Sequence, residues 1–186
     1  QPQGDKYMED WTIITVYNTP ETGRIMDWDI TLAATECGIH IGDTKESGTL
    51  SVRMNTPLHV RHGGTMINAY GGINEGENWG KPSPWVDYYG EVDGVKCGLA
   101  LMDHPGNLRH PTTWHVRNYG LFTANCWGYS YFTNDQSIRG DYTMPAGDAI
   151  SFLYRVYVHA GDHLQAKTAD RYFDFAFPPA VTVVGD

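Results

Sequence analysis

Apolar and polar residues alternate along several stretches of this chain. Met26, Trp28, Ile30, Leu32 and Ala34 fall on one face of an extended backbone, with Asp27, Asp29 and Thr31 on the other. Leu50, Val52 and Met54 alternate with Ser51 and Arg53, and Val95, Cys97, Leu99 and Leu101 with Lys96, Gly98 and Ala100. Ile150, Phe152, Tyr154, Val156 and Val158 alternate with Ser151, Leu153, Arg155, Tyr157 and His159. A period of two marks a strand with one face buried and one wet, so each stretch predicts an antiparallel strand. Trp11 to Tyr17 is a short apolar, β-branched run and predicts a more buried strand. Turn signals separate these runs: Thr22-Gly23, His62-Gly63-Gly64, Tyr70-Gly71-Gly72, Asp93-Gly94 and Pro145-Ala146-Gly147-Asp148. Only His163 to Ala176 has helical spacing, through Ala166, Ala169, Tyr172, Phe173 and Ala176, and Pro178-Pro179 ends it. Strands with one late helix predict an all-β fold: an antiparallel β-sandwich, jelly-roll or supersandwich-like, with one short C-terminal helix. No repeat, low-complexity tract or linker interrupts residues 1–186, which predicts a single domain. Gly71 to Pro84 is a long Gly/Asn/Pro-rich connection, of a length that is more often functional or mobile than merely connective.

Composition narrows the partners. With 41% hydrophobic residues, 12 Tyr, 6 Trp and 6 Phe, the chain can build a core and keep aromatic rings for its surface. The formal net charge is −9 and there is no Lys/Arg cluster, which argues against nucleic acid and anionic membrane surfaces as partners. Sugars, other neutral small molecules and cations stay open. No apolar run approaches the ~20 residues of a membrane span. Cys37, Cys97 and Cys126 are an odd count without a CxxC, which suggests neither a zinc knuckle nor a disulfide framework and leaves open one pair bridging in an oxidising compartment. The sequence opens Gln-Pro-Gln-Gly, with no charged or apolar leader pattern; a mature chain and an excised fragment both fit that start.

The densest chemistry lies between Asp103 and Arg117. Asp103-His104-Pro105-Gly106-Asn107-Leu108-Arg109-His110-Pro111 follows a strand, and two prolines and a glycine force an irregular turn. Trp114-His115-Val116-Arg117 then resumes alternation, with His115 and Arg117 on one face. His104, His110 and His115 with Asp103 supply neutral imidazoles and a carboxylate suited to a divalent metal, although the spacing matches no known signature. Acid–base or ligand-binding work without a metal is the second reading. The third is a structural loop, with Asp103 and Asn107 closing Asx-turns and Arg109 paired to a carboxylate.

Gly42 to Gly48 places Asp43, Lys45 and Glu46 between glycines; it reads as a general base or sugar contact, or more simply as a charged hairpin turn. Trp79, Trp85, Tyr88, Tyr89, Trp114, Trp127, Tyr129 and Tyr131 mostly sit beside Gly, Pro or Asn. Such rings suit stacking on a sugar, but core or rim packing is expected for more than half of them. His59 and His62 would face opposite sides of a strand and are read as unremarkable.

The stretch DHPGNLRHPTTWHVRNYGLFTANCWG, Asp103 to Gly128, resembles a bacterial family of unknown function often labelled methane-oxygenase PmoA-like. GDTKESG at Gly42, NEGENWGKPSPWVDYYGEVDG at Asn74 and YTMPAGDAISFLYRVYVHAGD at Tyr142 fall in that family's order. The resemblance implies a β-sandwich encoded near sugar-processing genes and exported, hence periplasmic or secreted. It places the family's polar signature on Asp43, Lys45, Glu46, Trp79, Asp87, Asp103, His104, Asn107, Arg109, His110, Trp114, His115 and Arg117. The oxygenase label sits badly with a sequence that has no membrane span. The family's Asp-His-Pro-His-His-Arg-Gly-like segment is not in this sequence, and its NPFG reads Asn125-Cys126-Trp127-Gly128 here.

Three functions are expected from these readings. The first is an extracytoplasmic glycan- or modified-sugar-active hydrolase or lyase, metal-assisted or not. Asp103, His104, His110, Arg109 and Lys45 would be its catalytic residues, and Glu46, Trp79, Asn107, Trp114 and Arg117 its ligand contacts. The second is a non-catalytic carbohydrate-binding or assembly module. The third is an oxidative copper or iron protein, although residue 1 is Gln, which does not provide an amine-plus-imidazole copper brace. If the histidines act, ligand or metal binding should weaken between about pH 7 and pH 5, because a neutral imidazole is needed.

Overall fold

A computed structural model describes residues 4–19, 23–180 and 182. In chain order its elements are β1 (Glu9–Val16), β2 (Gly23–Ala33), β3 (Ile39–Ile41), β4 (Leu50–Arg53), β5 (Thr65–Asn68), α1 (Asn74–Asn78), β6 (Trp85–Val92), β7 (Val95–Asp103), β8 (Trp114–Val116), β9 (Leu121–Ala124), α2 (Tyr129–Thr133), β10 (Tyr142–Met144), β11 (Ala149–Ala160) and α3 (Thr168–Ala176). The strands form a six-stranded sheet in the order β1-β2-β11-β7-β6-β5, a three-stranded sheet β4-β9-β8 and a small β10-β3 pair. Every pairing between these strands is antiparallel.

The two larger sheets form a β-sandwich. Ile30, Val86, Tyr88, Leu101, Phe152, Tyr154 and Val156 from the large sheet meet Leu50, Trp114, Val116, Phe122 and Ala124 from the small one in one apolar core. These are the positions that the period of two selects on β2, β7 and β11. A second, smaller core lies on the outer face of the large sheet, where Trp85, Ala100, Met102 and Tyr157 pack against Ala166 and Phe175 beside and within α3. That cover explains why β11 changes character: Phe152, Tyr154 and Val156 are buried on the inner face, and Tyr157 and His159 on the outer one. The Asp93-Gly94 signal is a two-residue hairpin between β6 and β7, with φ of 51° and 78° as a type I′ turn requires. Thr22, half of the expected Thr22-Gly23 turn, lies outside the described residues; β1 and β2, on either side of it, pair from Glu9↔Ala33 to Val16↔Met26.

Several expectations need correction. Trp11 to Val16 is strand, but it is not buried: Trp11, Ile13, Ile14 and Val16 are all exposed, because β1 is the sheet's edge and none of the described residues covers either of its faces. The C-terminal helix begins at Thr168, not near His163. Before it, Asp162 accepts hydrogen bonds from the amides of Leu164 and Gln165, which holds that stretch as turns. The Gly71 to Pro84 connection carries a helical turn, α1, and Tyr129 to Thr133 carries another, both too short for a periodic signal. All three cysteines are free thiols, and burial pushes the Cys126 thiol up to about 12. Among the described residues no helix is long and apolar enough to cross a membrane.

Candidate functional site

Residues 104–113 carry the chain from β7 in the large sheet to β8 in the small one, so this segment closes one end of the sandwich. Its shape is set by Asp103, whose side chain is fully buried. Asn107 Nδ2 donates to Oδ1 at 2.8 Å; His110 Nδ1, at 2.7 Å, and the amide of Thr112, at 2.8 Å, meet Oδ2. Asn107 also clasps β11, donating to the Leu153 carbonyl and accepting from its amide, at 2.8 and 2.7 Å. Arg109, with φ of +61°, turns away from this centre. Its guanidinium donates to the carbonyls of Cys126, Gly140 and Asp141 and stacks on the Tyr129 ring. Arg109 is thus a strut between two loops, held by carbonyl oxygens and not by the carboxylate expected from sequence.

His110 is the group that bracing leaves with a free end. Asp103, an acceptor at Nδ1, fixes the proton there in the neutral ring and leaves the lone pair on Nε2. Nε2 faces the Tyr172 hydroxyl of α3 at 3.5 Å, and the His110 side chain keeps 19% of its surface exposed. Burial, with the charge of Asp103 and the presence of Tyr70, pushes the Tyr172 phenol up to about 12, so it stays protonated at neutral pH. In the neutral ring the Nε2 lone pair is turned toward the Tyr172 hydroxyl at the rim of the domain. His104 sits beside them with its ring edge against Phe175, accepting the Gly106 amide at Nδ1. Burial lowers its pKa against the opposing pull of Asp103, which keeps the ring neutral. Arg155 covers Phe175 at 4.7 Å and is held by both carboxylate oxygens of Asp27.

The remaining candidates form a second group, built on β8 and the Gly42 to Gly48 loop. His115 is 3% exposed and packs edge-on against Trp79 and Phe132. Its Nε2 faces Arg117 Nε at 3.3 Å, and burial lowers its pKa although the Lys45 carbonyl favours its proton. Arg117 lies over Trp79 at 5.2 Å and donates to Glu75 Oε1 at 2.6 Å. Burial works against the Glu75 charge, but the Asn118 amide and Arg117 together hold its carboxyl below the usual range. Lys45 pairs with Glu46 at the surface. Trp79 Nε1 is buried and has no hydrogen-bond partner among the described residues. Among the described residues no hydrogen bond, ion pair or ring contact joins these side chains to those of Asp103, His110 or Tyr172.

Two expectations fail on this geometry. His104, His110 and His115 do not share a centre, since each packs against different partners and His115 Nε2 is occupied by Arg117; among the described residues no three His, Cys, Asp or Glu side chains converge as a metal-ligand set. Trp114 is fully buried, with its Nε1 donating to the Ser83 carbonyl, so it is a core residue and not a ligand contact. Tyr172 escapes a reading of the sequence alone, because its helical spacing marks it as a packing residue. Glu75 is missed because its partner is 42 positions away.

A family model described as "Family of unknown function (DUF6807)" matches residues 1–174. The chain belongs to this family. No curated protein and no solved structure matches it. The family description names no reaction, so the chemistry has to be argued from the side chains. The most telling of them outside the two groups is a buried triad under α3. Asp87 pairs with His159 Nε2 at 3.0 Å and accepts the Thr168 hydroxyl at 2.6 Å. This ties the first residue of α3 to the centre of the large sheet, four positions before Tyr172.

Proposed function

We propose that this protein is an enzyme acting on a glycan or modified sugar, as a hydrolase or lyase, with His110 as the base and Tyr172 as the acid. The observation that carries this reading is the Asp103–His110–Tyr172 line: a buried carboxylate, an imidazole held by it, and a phenol that keeps its proton. His110 Nε2 would take a proton from a sugar carbon or from water, and Asp103 would stabilise the imidazolium formed. Tyr172 would protonate the departing oxygen. Asn107, Arg109 and Thr112 hold the loop so that His110 does not have to reorganise. The resemblance of Asp103 to Gly128 to bacterial proteins labelled PmoA-like, encoded near sugar-processing genes, supports a glycan substrate and an exported protein.

The test is product analysis. Purified protein is incubated with plant, algal and bacterial glycans, reading new reducing ends for hydrolysis and ultraviolet absorbance for an unsaturated ring. The expected result is one of the two products, strongly diminished in Tyr172→Phe. Neither product from any glycan, or full turnover by Tyr172→Phe, contradicts the proposal. A second reading, a non-catalytic carbohydrate-binding or assembly module, is favoured by one observation: Lys45, Trp79, His115 and Arg117 form a polar-aromatic group that, among the described residues, makes no hydrogen bond, ion pair or ring contact with His110.

A further inference from the structure

A cavity of about 450 Å³ opens between the turn after β5, α1 and the Lys81-Pro82 segment, lined by Asn68, Tyr70, Gly72, Glu77, Lys81 and Pro82 among others. Its size lies within the range of small-molecule sites. Its walls pair apolar faces with polar grips. Tyr70 is 71% exposed and lines the cavity, and Pro82 adds a second apolar surface. Asn68 is 5% exposed and rigid, because its Oδ1 accepts the amides of Tyr70 and Gly72, both at 2.9 Å. That leaves its Nδ2 as a donor with no protein partner among the described residues. Glu77 spends one oxygen on the Ile73 amide at 2.8 Å and keeps the other. Lys81 makes no ion pair among the described residues. Gly72 lets the backbone pass close to Asn68, since a Cβ there would lie 2.7 Å from Asn68 Nδ2 and 2.9 Å from the Glu77 carbonyl.

The cavity is also in the right place. Beyond Lys81 the chain runs beside the His110 loop, with Pro82 bridged to Thr113 and the Ser83 amide donating to the Thr112 carbonyl at 3.1 Å. Pro82, on the cavity wall, is thus tied to the loop that carries His110. Two donors, one acceptor and an exposed aromatic ring are what a hydroxyl-rich ring needs: stacking on one face and hydrogen bonds around the edge.

We infer that this cavity is a subsite for one pyranose unit, its apolar face on Tyr70 and its hydroxyls held by Asn68, Glu77 and Lys81. This subsite rests on the reading of His110 and Tyr172 as the reacting pair, because its place beside them makes it part of a substrate cleft. An acidic sugar would engage Lys81 through its carboxylate, and a neutral one through hydroxyls.

The experiment is an amide NMR titration of the whole chain with the methyl pyranosides of glucose, galactose, mannose and xylose, and with galacturonic acid, at millimolar concentrations. The expected result is that at least one probe shifts the amides of Asn68, Gly72 and Lys81. Tyr70→Ala and Lys81→Ala, both surface changes, should each weaken that probe, the first roughly tenfold. No shift at these amides with any probe overturns the subsite, as do shifts centred on Trp79 and Lys45. Turnover by His110→Ala is measured separately. If the probes bind here while that variant keeps full turnover, the reading of His110 fails and the subsite stands. If turnover is lost while no probe binds here, the subsite alone fails.

Discussion

At the scale of single residues, the Asp103 to Arg117 segment separates into parts that brace and one part that is left able to act. The polar density was legible in the sequence, since no other stretch gathers acid, imidazole, amide and guanidinium so tightly. Which residue does what was not legible, because it depends on groups far along the chain: Leu153 for Asn107, Cys126 and Gly140 for Arg109, Tyr172 for His110. Arg109 shows the consequence. Expected as a catalytic residue, it is a strut whose loss strands three carbonyl acceptors. Arg109→Ala should therefore cost roughly 3 kcal/mol of stability, seen as a lower midpoint in urea unfolding. A variant that unfolds at the wild-type midpoint would mean that Arg109 is free to serve substrate. Arg117→Ala should cost far less stability, since Arg117 is partly exposed and its pairing with Glu75 is screened by solvent.

At the scale of elements, the period of two located β2, β4, β7 and β11 because each has one face in the core. The apolar, β-branched run at β1 was misjudged as buried, because it sits at an edge and is exposed on both sides. Sequence alone cannot tell an edge strand from a central one when both are apolar. Ile13→Lys should leave the unfolding free energy within about 0.5 kcal/mol of wild type and reduce association at high concentration, measured by light scattering. A large loss of stability would show that β1 is covered. The start of α3 is the opposite case, where burial is decisive. Burial disfavours a charged His159, but the hydrogen bond and charge of Asp87, helped by the Ala160 carbonyl, outweigh it and the pKa ends raised. A raised folded-state value means that the pair stabilises the fold fully below the unfolded value of about 6.5, and that this contribution fades as pH rises through the folded value. The stability gap between wild type and His159→Gln should therefore be largest below about pH 6.5 and narrow in alkaline buffer, followed by thermal melting at a series of pH values. A gap that widens with pH would remove the charged pair from the account. Asp87 itself was legible only through family resemblance, because a lone acid within a strand carries no sign of a partner 72 residues away.

At the scale of the whole molecule, the two sheets create the site by needing a connection between them. The loop from β7 to β8 must leave one sheet and enter the other, and at that end of the sandwich it meets α3, which packs on the outer face. His110 comes from the connection and Tyr172 from the helix, so the pair exists only in the folded chain. The sandwich was legible from alternation and turns. The small three-stranded partner sheet was less so, since β8 and β9 are short and buried and their alternation is truncated. The net charge is −9, yet the cavity on the Tyr70 side is lined by Lys81, which makes no ion pair among the described residues. The measurement that bears most directly on this account is the turnover of His110→Ala on a glycan that the wild-type protein cleaves, with folding checked by thermal melting. The account predicts a fall of roughly 100- to 10,000-fold with the fold retained; full turnover by the folded variant would contradict it.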